Sequence, residues 1–323
     1  MNMLQHIKND ILAGKLIDKE QALTLTNVSL DELCIAANEI REFFCGKNFD
    51  ICTIVNGKSG RCSENCKYCA QSSFYRTKVD EYPLQDTNEL VAQAKNIADL
   101  GVLRYSIVTS GKSLNNDELD KACESIKAIK ENTNISVCVS FGLLNEAQYK
   151  KLKTAGVERI HNNLETSRNY FPKVCTTHDY DDKISAIKAA KKAGLSVCSG
   201  GIMGLDESME DRIDMALALR ELGIDSIPVN MLNPISGTPY EKNEILTNNE
   251  MCRTVAIFRL ILPTAFIRLA GGRGLLPDKG RRCLISGANA MISGDMLTTS
   301  GISIENDMKM IEELGYNTPL TVY

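Results

Sequence analysis

The stretch Ile51-Cys-Thr-Ile-Val-Asn-Gly-Lys-Ser-Gly-Arg-Cys-Ser-Glu-Asn-Cys-Lys-Tyr-Cys69 decides how the chain is read. It opens with a β-branched run over 51–55 that predicts a strand, passes through a glycine-containing turn, and ends in three thiols at C-x3-C-x2-C spacing. A doubly wound dinucleotide fold would carry a G-x-G-x-x-G turn after its first strand; here the cysteine loop stands in that place. Three ligands are one short of a closed tetrahedral zinc site. A four-iron cluster takes four cysteines, so three thiolates on one compact loop predict a four-iron cluster with one iron left open to a small molecule. Half of a zinc knuckle would need a second C-x2-C or H-x3-H pair, and His6, His161 and His178 are not spaced to give one.

Working outward from that loop, β-branched runs alternate with polar loops and amphipathic helices. Strands are predicted at 51–55, 103–108, 135–141, 157–163, 196–203, 226–230, 265–269 and 289–292. Helices are predicted at 87–100, 116–132, 146–155, 181–193 and 208–222, several ending in glycine, as at Gly101, Gly156, Gly194 and Gly223. Strand then helix, repeated to eight strands, is the pattern of a (β/α)8 TIM-type barrel. Helical periodicity over 2–15, 19–26 and 30–45 adds an N-terminal helical extension. The expected organisation is therefore a helical cap over 1–48, a barrel over 49–316 and a tail over 317–323, either disordered or packed on a partner.

Composition is that of a soluble globular protein, at 43% hydrophobic and 24% charged, with no run near the ~20 apolar residues of a membrane span. No basic stretch followed by an apolar core is visible at the N-terminus, so a cytoplasmic protein is expected. Twelve cysteines in such a chain point to thiolates kept reduced for metal or catalysis rather than to disulfides. A net charge of −4 offers no field for nucleic acid, and Lys188–Lys192 and Arg281-Arg282 read as solvated helix faces.

Barrel chemistry belongs at the C-terminal ends of strands. The residues so placed are Arg104, Ser106 and Thr109-Ser110-Gly111; Cys138 and Ser140; Asn162, Asn163 and Glu165; Cys198-Ser-Gly-Gly201; Asn230; and Arg268. Cys175-Thr-Thr-His178 lies on the loop after the fourth strand. Arginine, asparagines and cysteines together inside a barrel filled mainly by branched aliphatics are unusual, because buried charge and unpaired polar groups cost several kcal/mol unless something pairs them, so a second polar ligand set is expected.

The cysteine loop with its aromatic Tyr68 resembles the signature of radical S-adenosylmethionine (SAM) enzymes. Together with His161-Asn-Asn-Leu-Glu-Thr166, Val197-Cys-Ser-Gly-Gly-Ile202, Val229-Asn-Met-Leu-Asn-Pro-Ile-Ser-Gly-Thr-Pro239 and Ile267-Arg-Leu-Ala-Gly-Gly-Arg273, the chain from about residue 40 to its last helix resembles the biotin synthase family. The resemblance implies sulfur insertion into dethiobiotin by way of a 5′-deoxyadenosyl radical, a task for a cofactor because no side-chain base can deprotonate such carbons. It implies that Cys62, Cys66 and Cys69 hold a [4Fe–4S] cluster and that Tyr68, Thr109, Ser110 and Gly111 contact SAM. Glu165 would take the SAM ribose, and Lys183 falls where the family commonly has an arginine. Asn163 and Asn230 match asparagines that bind the ureido ring. A flavodoxin or ferredoxin reductant and a homodimer are implied as well.

The resemblance also implies an auxiliary cluster, [2Fe–2S] in the common pattern, on three cysteines and one arginine, whose sulfide is given to the substrate. Cys138, Cys198 and Arg268 match, but Ser106 stands where the pattern has cysteine, and serine is a poor iron ligand beside thiolate. The expectation is a rebuilt auxiliary cluster on Cys138, Cys175, Cys198 and Arg268, with room for more iron than two. Cys34, Cys45, Cys52, Cys123, Cys252 and Cys283 are read as core packing, and His161 and His178 as hydrogen-bonded structural residues. Gly200-Gly201 is read as relieving strand crowding or admitting SAM to the backbone. A hydrogenase-cofactor maturase or methylornithine synthase chemistry is the alternative enzyme reading, and a non-catalytic iron–sulfur carrier the alternative of another class.

Overall fold

In the computed structural model, which describes residues 2–318, three helices precede the first strand: α1 (Met3–Leu12), α2 (Lys19–Thr24) and α3 (Leu30–Cys45). Units of strand and helix follow as β1 (Asp50–Lys58), α4 (Thr87–Asp99), β2 (Arg104–Thr109), α5 (Asn116–Asn132), β3 (Ser136–Ser140), α6 (Glu146–Ala155) and β4 (Val157–His161). A short α7 (Phe171–Val174) then leads into α8 (Tyr180–Lys192), β5 (Ser196–Cys198), β6 (Gly201–Met203), α9 (Met209–Glu221), β7 (Ser226–Met231) and α10 (Asn248–Ile261). The chain closes with β8 (Phe266–Leu269), α11 (Arg281–Leu284), β9 (Ala290–Ser293) and α12 (Ile304–Glu313). All strand pairs are parallel, β1 joins β9, and β5 meets β7 through Cys198 and Ser226, so the sheet closes into an eight-position barrel with helices outside.

Side-chain alternation explains why both faces of each strand are occupied. Ile51, Tyr105, Ile107, Val137, Val139, Ile160, Val197, Ile227, Ile267 and Met291 are buried in the main apolar core that the sheet shares with the helices. Cys52, Ile54, Arg104, Ser106, Cys138, Ser140, Arg159, His161, Cys198 and Arg268, at the intervening positions, line the interior. Helix starts are written locally. Asn115, Asn145, Asp179, Ser208 and Thr247 each accept a backbone N–H three residues on, while the side chain there returns the bond, giving a capping box after five of the strand exits.

The eight predicted strands all form, with one difference: the fifth is divided into β5 and β6 at Ser199-Gly200. The cause is tertiary. The Gly200 N–H donates to Asn163 Oδ1 at 3.0 Å instead of to a neighbouring strand, and a Cβ there would fall on the Pro228 carbonyl. On Gly201 it would fall on the Glu165 carbonyl and the Met215 sulfur, so strand crowding accounts for this pair of glycines. In the N-terminal extension α3 packs on α10, α1 on α3 and α2 on α9. Asn317, placed in the expected tail, instead ties the barrel's ends together: its N–H donates to Lys47 O and its carbonyl accepts from the Phe49 N–H, at 2.8 and 2.9 Å. The last five positions of that tail lie outside the described residues.

Candidate active site

The cysteine loop rises from the C-terminal end of β1 and folds back on itself through short backbone bonds. Cys62 N–H donates to Gln71 O at 3.0 Å, Ser73 N–H to Cys62 O at 2.9 Å, and Cys69 N–H to Cys66 O at 3.0 Å. Gln71 Oε1 also accepts from Gly60 N–H, which pins the turn that launches the loop. Lys67 N–H reaches across to Val174 O, so the loop after β4 forms its outer wall. Cys62, Cys66 and Cys69 all line one cavity of about 390 Å³ at the barrel mouth. Burial pushes the Cys69 thiol up to about 11, so loading a metal must release protons here.

Around the same cavity stand Tyr68, Thr109, Ser110, Gly111, Asn163, Glu165, Lys183 and Asn230. Burial, and then the neighbouring carboxylate of Glu165, raise the Tyr68 phenol well above its usual range. Glu165 adopts φ 70°, a left-handed conformation rare for a side-chain-bearing residue, and Asn163 Nδ2 donates to its Oε2 at 3.3 Å. Asn230 Nδ2 donates to Gly201 O at 3.0 Å and its Oδ1 accepts from Gly271 N–H at 2.9 Å. Ser110 Oγ and Asn162 Nδ2 also belong to the lining and are buried without a protein partner, which marks the cavity as shaped for a polar guest.

At the floor of the same cavity lies a different kind of arrangement. The Asp50 carboxylate meets three guanidiniums: Arg104 Nε at 3.2 Å, Arg159 Nη1 at 3.6 Å and Arg268 Nη2 at 3.2 Å. Burial works against its ionisation, but Arg268, Arg104 and Arg159 together hold its carboxyl below the usual range. Three cations against one anion leave two positive charges buried, a costly surplus that calls for anionic ligands. Cys138, Cys198 and Cys52 line the cavity there. Ser226 Oγ lies 3.3 Å from Cys198 Sγ and 3.4 Å from Arg268 Nη2, and Cys52 Sγ lies 3.3 Å from Arg268 Nη1. Burial raises Cys52 to about 12; at Cys198 it is outweighed by His161, Arg268 and Arg159, which bring that thiol down to about 7.

Cys175, expected beside Cys138 and Cys198, has other neighbours. It is found at the rim: its Sγ lies 3.6 Å from Cys66 Sγ and 3.3 Å from His178 Nδ1, and His178 in turn meets Glu64 at 2.5 Å. The loop after α7 that carries Cys175 is pinned to the cysteine loop by Asn65, whose Oδ1 accepts from Thr176 N–H at 2.9 Å, and Cys175 is not in the lining that Cys138 and Cys198 share. Cys66, Cys175 and His178 are close enough to share a metal ion. Asp50 and Arg159 carry no signal in the sequence, whereas Cys52 packs with Ala270 and Ile292 as expected and also lines the cavity, and His161 is hydrogen-bonded to Cys198. For Cys52 the available signal was alternation, since it shares an inward-facing row with Ile54 beside Arg104 and Ser106 on the paired strand. Cys252 and Cys283, 3.6 Å apart, and Cys34 and Cys123 are buried in the apolar core as expected.

Two family models match the chain: the radical SAM superfamily over residues 58–219, which takes in the rim cysteines together with Cys138 and Cys198, and the biotin and thiamin synthesis associated domain over 228–317, which takes in Arg268. The chain is 59% identical over 317 residues to a biotin synthase of Brachyspira hyodysenteriae, covering 98% of this chain and 95% of that one. The chain belongs to the biotin synthase family. Biotin synthases of Clostridium botulinum, strain Alaska E43, and of Akkermansia muciniphila are 55% and 54% identical, each over 98% of this chain and 99% and 98% of their own. Solved structures similar in fold are a methylornithine synthase, with TM-score 0.83 at 18% identity over 97% of both chains, and a maturase of the [FeFe]-hydrogenase, with TM-score 0.84 at 22% identity over 99% of this chain and 76% of that one. At those identities the likeness is one of fold. The biotin synthase likeness, by contrast, extends over 98% of the chain at 54–59% identity.

Proposed function

We propose that the chain makes biotin from dethiobiotin, with the rim loop as the seat of a [4Fe–4S] cluster and SAM, and the floor as the seat of an auxiliary iron–sulfur cluster that supplies the sulfur. The observation that carries this reading is that two thiol sets, one at the mouth and one at the floor, line a single cavity with polar groups between them. The residues fit the groups. Three thiols on one loop leave a fourth iron position for SAM, two orphaned polar atoms line the space where a substrate would sit, and the cationic floor favours an anionic thiolate cluster. When bound, these groups supply a 5′-deoxyadenosyl radical that breaks unactivated C–H bonds and a sulfide that becomes the thioether sulfur.

The chain's own residues bind, orient and shield. Tyr68 and the Thr109-Ser110-Gly111 turn form the wall on which SAM would rest, and Glu165, held by Asn163, would accept the ribose hydroxyls. Lys183, also in the lining, offers a point charge to the SAM carboxylate. Asn163 and Asn230, each fixed by backbone groups, would present amides to the ureido ring. A flavodoxin or ferredoxin donor, a cytoplasmic setting and a homodimer accompany this reading; among the described residues no helix is long and apolar enough to cross a membrane.

The test is anaerobic incubation of the reconstituted chain with reductant, SAM and dethiobiotin, followed by mass spectrometry. Biotin and 5′-deoxyadenosine formed together support the assignment. Release of 5′-deoxyadenosine with dethiobiotin unconsumed would turn the assignment toward another radical SAM reaction.

A further inference from the structure

We propose that Cys52 is the third thiolate of the auxiliary cluster, standing in for the thiol that Ser106 does not provide. The inference rests on the reading that an iron–sulfur cluster occupies the floor, and it adds which residues of this chain hold it. Cys52 lies on β1, paired in register with Arg104 on one side and Ile292 on the other, and lines the cavity with Cys138 and Cys198. A continuous path of contacts joins it to Cys198: Cys52 Sγ to Arg268 Nη1 at 3.3 Å, Arg268 Nη2 to Ser226 Oγ at 3.4 Å, and Ser226 Oγ to Cys198 Sγ at 3.3 Å.

Register places the exchange of ligands. Ser106 pairs with Ile54 on β1 and with Cys138 on β3, whereas Cys52 sits one inward step below Ile54. A thiol moved from Ser106 to Cys52 therefore stays on the strand next door and goes one layer deeper, beside the guanidinium of Arg268. Charge agrees with this placement. Asp50 neutralises one of Arg104, Arg159 and Arg268, and three thiolates provide the anionic surroundings that the remaining two cations require. Thiolate is also the ligand iron–sulfur clusters select, where a serine hydroxyl competes poorly. Cys175 is taken up by Cys66, His178 and Asn65 at the mouth.

The experiment uses the full-length chain with Cys62, Cys66 and Cys69 all changed to alanine, so that the iron left after anaerobic reconstitution reports the floor alone. Iron, acid-labile sulfide and Mössbauer spectra are compared for this parent and for Cys52→Ala, Cys138→Ala and Cys175→Ala built on it. The expected result is loss of floor iron and sulfide in Cys52→Ala to the level of Cys138→Ala, with Cys175→Ala matching the parent. The pair Cys52→Ser with Ser106→Cys should regain iron that Cys52→Ser alone loses, which separates a ligand effect from misfolding. Full iron in Cys52→Ala, or loss of iron in Cys175→Ala alone, overturns the assignment of Cys52 and leaves the floor cluster standing. A parent that binds no iron overturns the floor cluster itself, and the ligand assignment falls with it.

Discussion

The rim and the floor of this barrel hold similar chemistry in opposite ways. At the rim, Cys62, Cys66 and Cys69 come from one loop of eight residues, so ligand spacing is set by local backbone bonds such as Cys69 N–H to Cys66 O. At the floor, Asp50, Cys52, Arg104, Cys138, Arg159, Cys198 and Arg268 come from β1, β2, β3, β4, β5 and β8, and their spacing exists only once the sheet closes. A contiguous site can be read from a string of letters. A dispersed one depends on strand register, and it makes the stability of the barrel and the integrity of the site one property.

Substitutions can break that contrast. The largest effect is expected at the rim: Cys66→Ala should abolish reductant-dependent release of 5′-deoxyadenosine while leaving the thermal unfolding of the metal-free chain near wild type, because the loop is held by backbone bonds. Retained SAM cleavage in Cys66→Ala would remove the rim loop from the chemistry. At the floor the expectation reverses. Asp50→Ala leaves three guanidiniums without their shared carboxylate and should destabilise the metal-free chain by about 3–5 kcal/mol in urea titrations. Because the Asp50 carboxyl is held below its ordinary range, its contribution is present above about pH 4 and is lost as the pH falls through the lowered value. Asp50→Asn should therefore flatten part of the acid limb of the stability profile; an unchanged limb would mean that the floor is not held together by this carboxylate.

A smaller effect is expected where the two regions meet. Gly200→Ala forces a Cβ onto the Pro228 carbonyl and should cost about 1–3 kcal/mol of stability. A neutral result would show that β5 and β6 can slide apart without consequence. The smallest effect sharpens the contrast within the cavity: Asn162 Nδ2 has no protein partner, whereas Asn163 is bound at both ends of its amide. Asn162→Ala should raise the KM for dethiobiotin about tenfold with little change in unfolding, equivalent to about 1.4 kcal/mol of lost binding. Asn163→Ala should lower stability as well, and equal unfolding losses in the two variants would erase the distinction.

What could be read from sequence follows the same division. Eight β-branched runs punctuated by glycine and capping residues were enough for the barrel, because each signal is local. The break at Ser199-Gly200 was not visible, since it arises from Asn163 and Pro228 on other strands. The letters after β4 do not say at what height the loop carrying Cys175 returns, and Asn65 decides that by holding it beside Cys66 at the rim. Cys52 looked like packing because its neighbours Ile51, Thr53, Ile54 and Val55 are those of any buried strand, and one cysteine among them carries no spacing. Its polar setting comes from Arg104, paired with it in register, and from Arg268, whose Nη1 lies 3.3 Å from its sulfur, and both lie on other strands.

The pairing of β1 with β9 has a consequence for biosynthesis. Asp50 lies opposite Ala290, 240 positions later (290 − 50). At typical translation speeds the free edge of β1 is exposed for roughly 12–48 s before its partner is made. For all that time Cys52, Cys62, Cys66 and Cys69 belong to a chain that cannot yet enclose them. The vulnerable period for these sulfurs thus begins on the ribosome, and oxygen encountered during synthesis threatens them before the finished barrel can protect them.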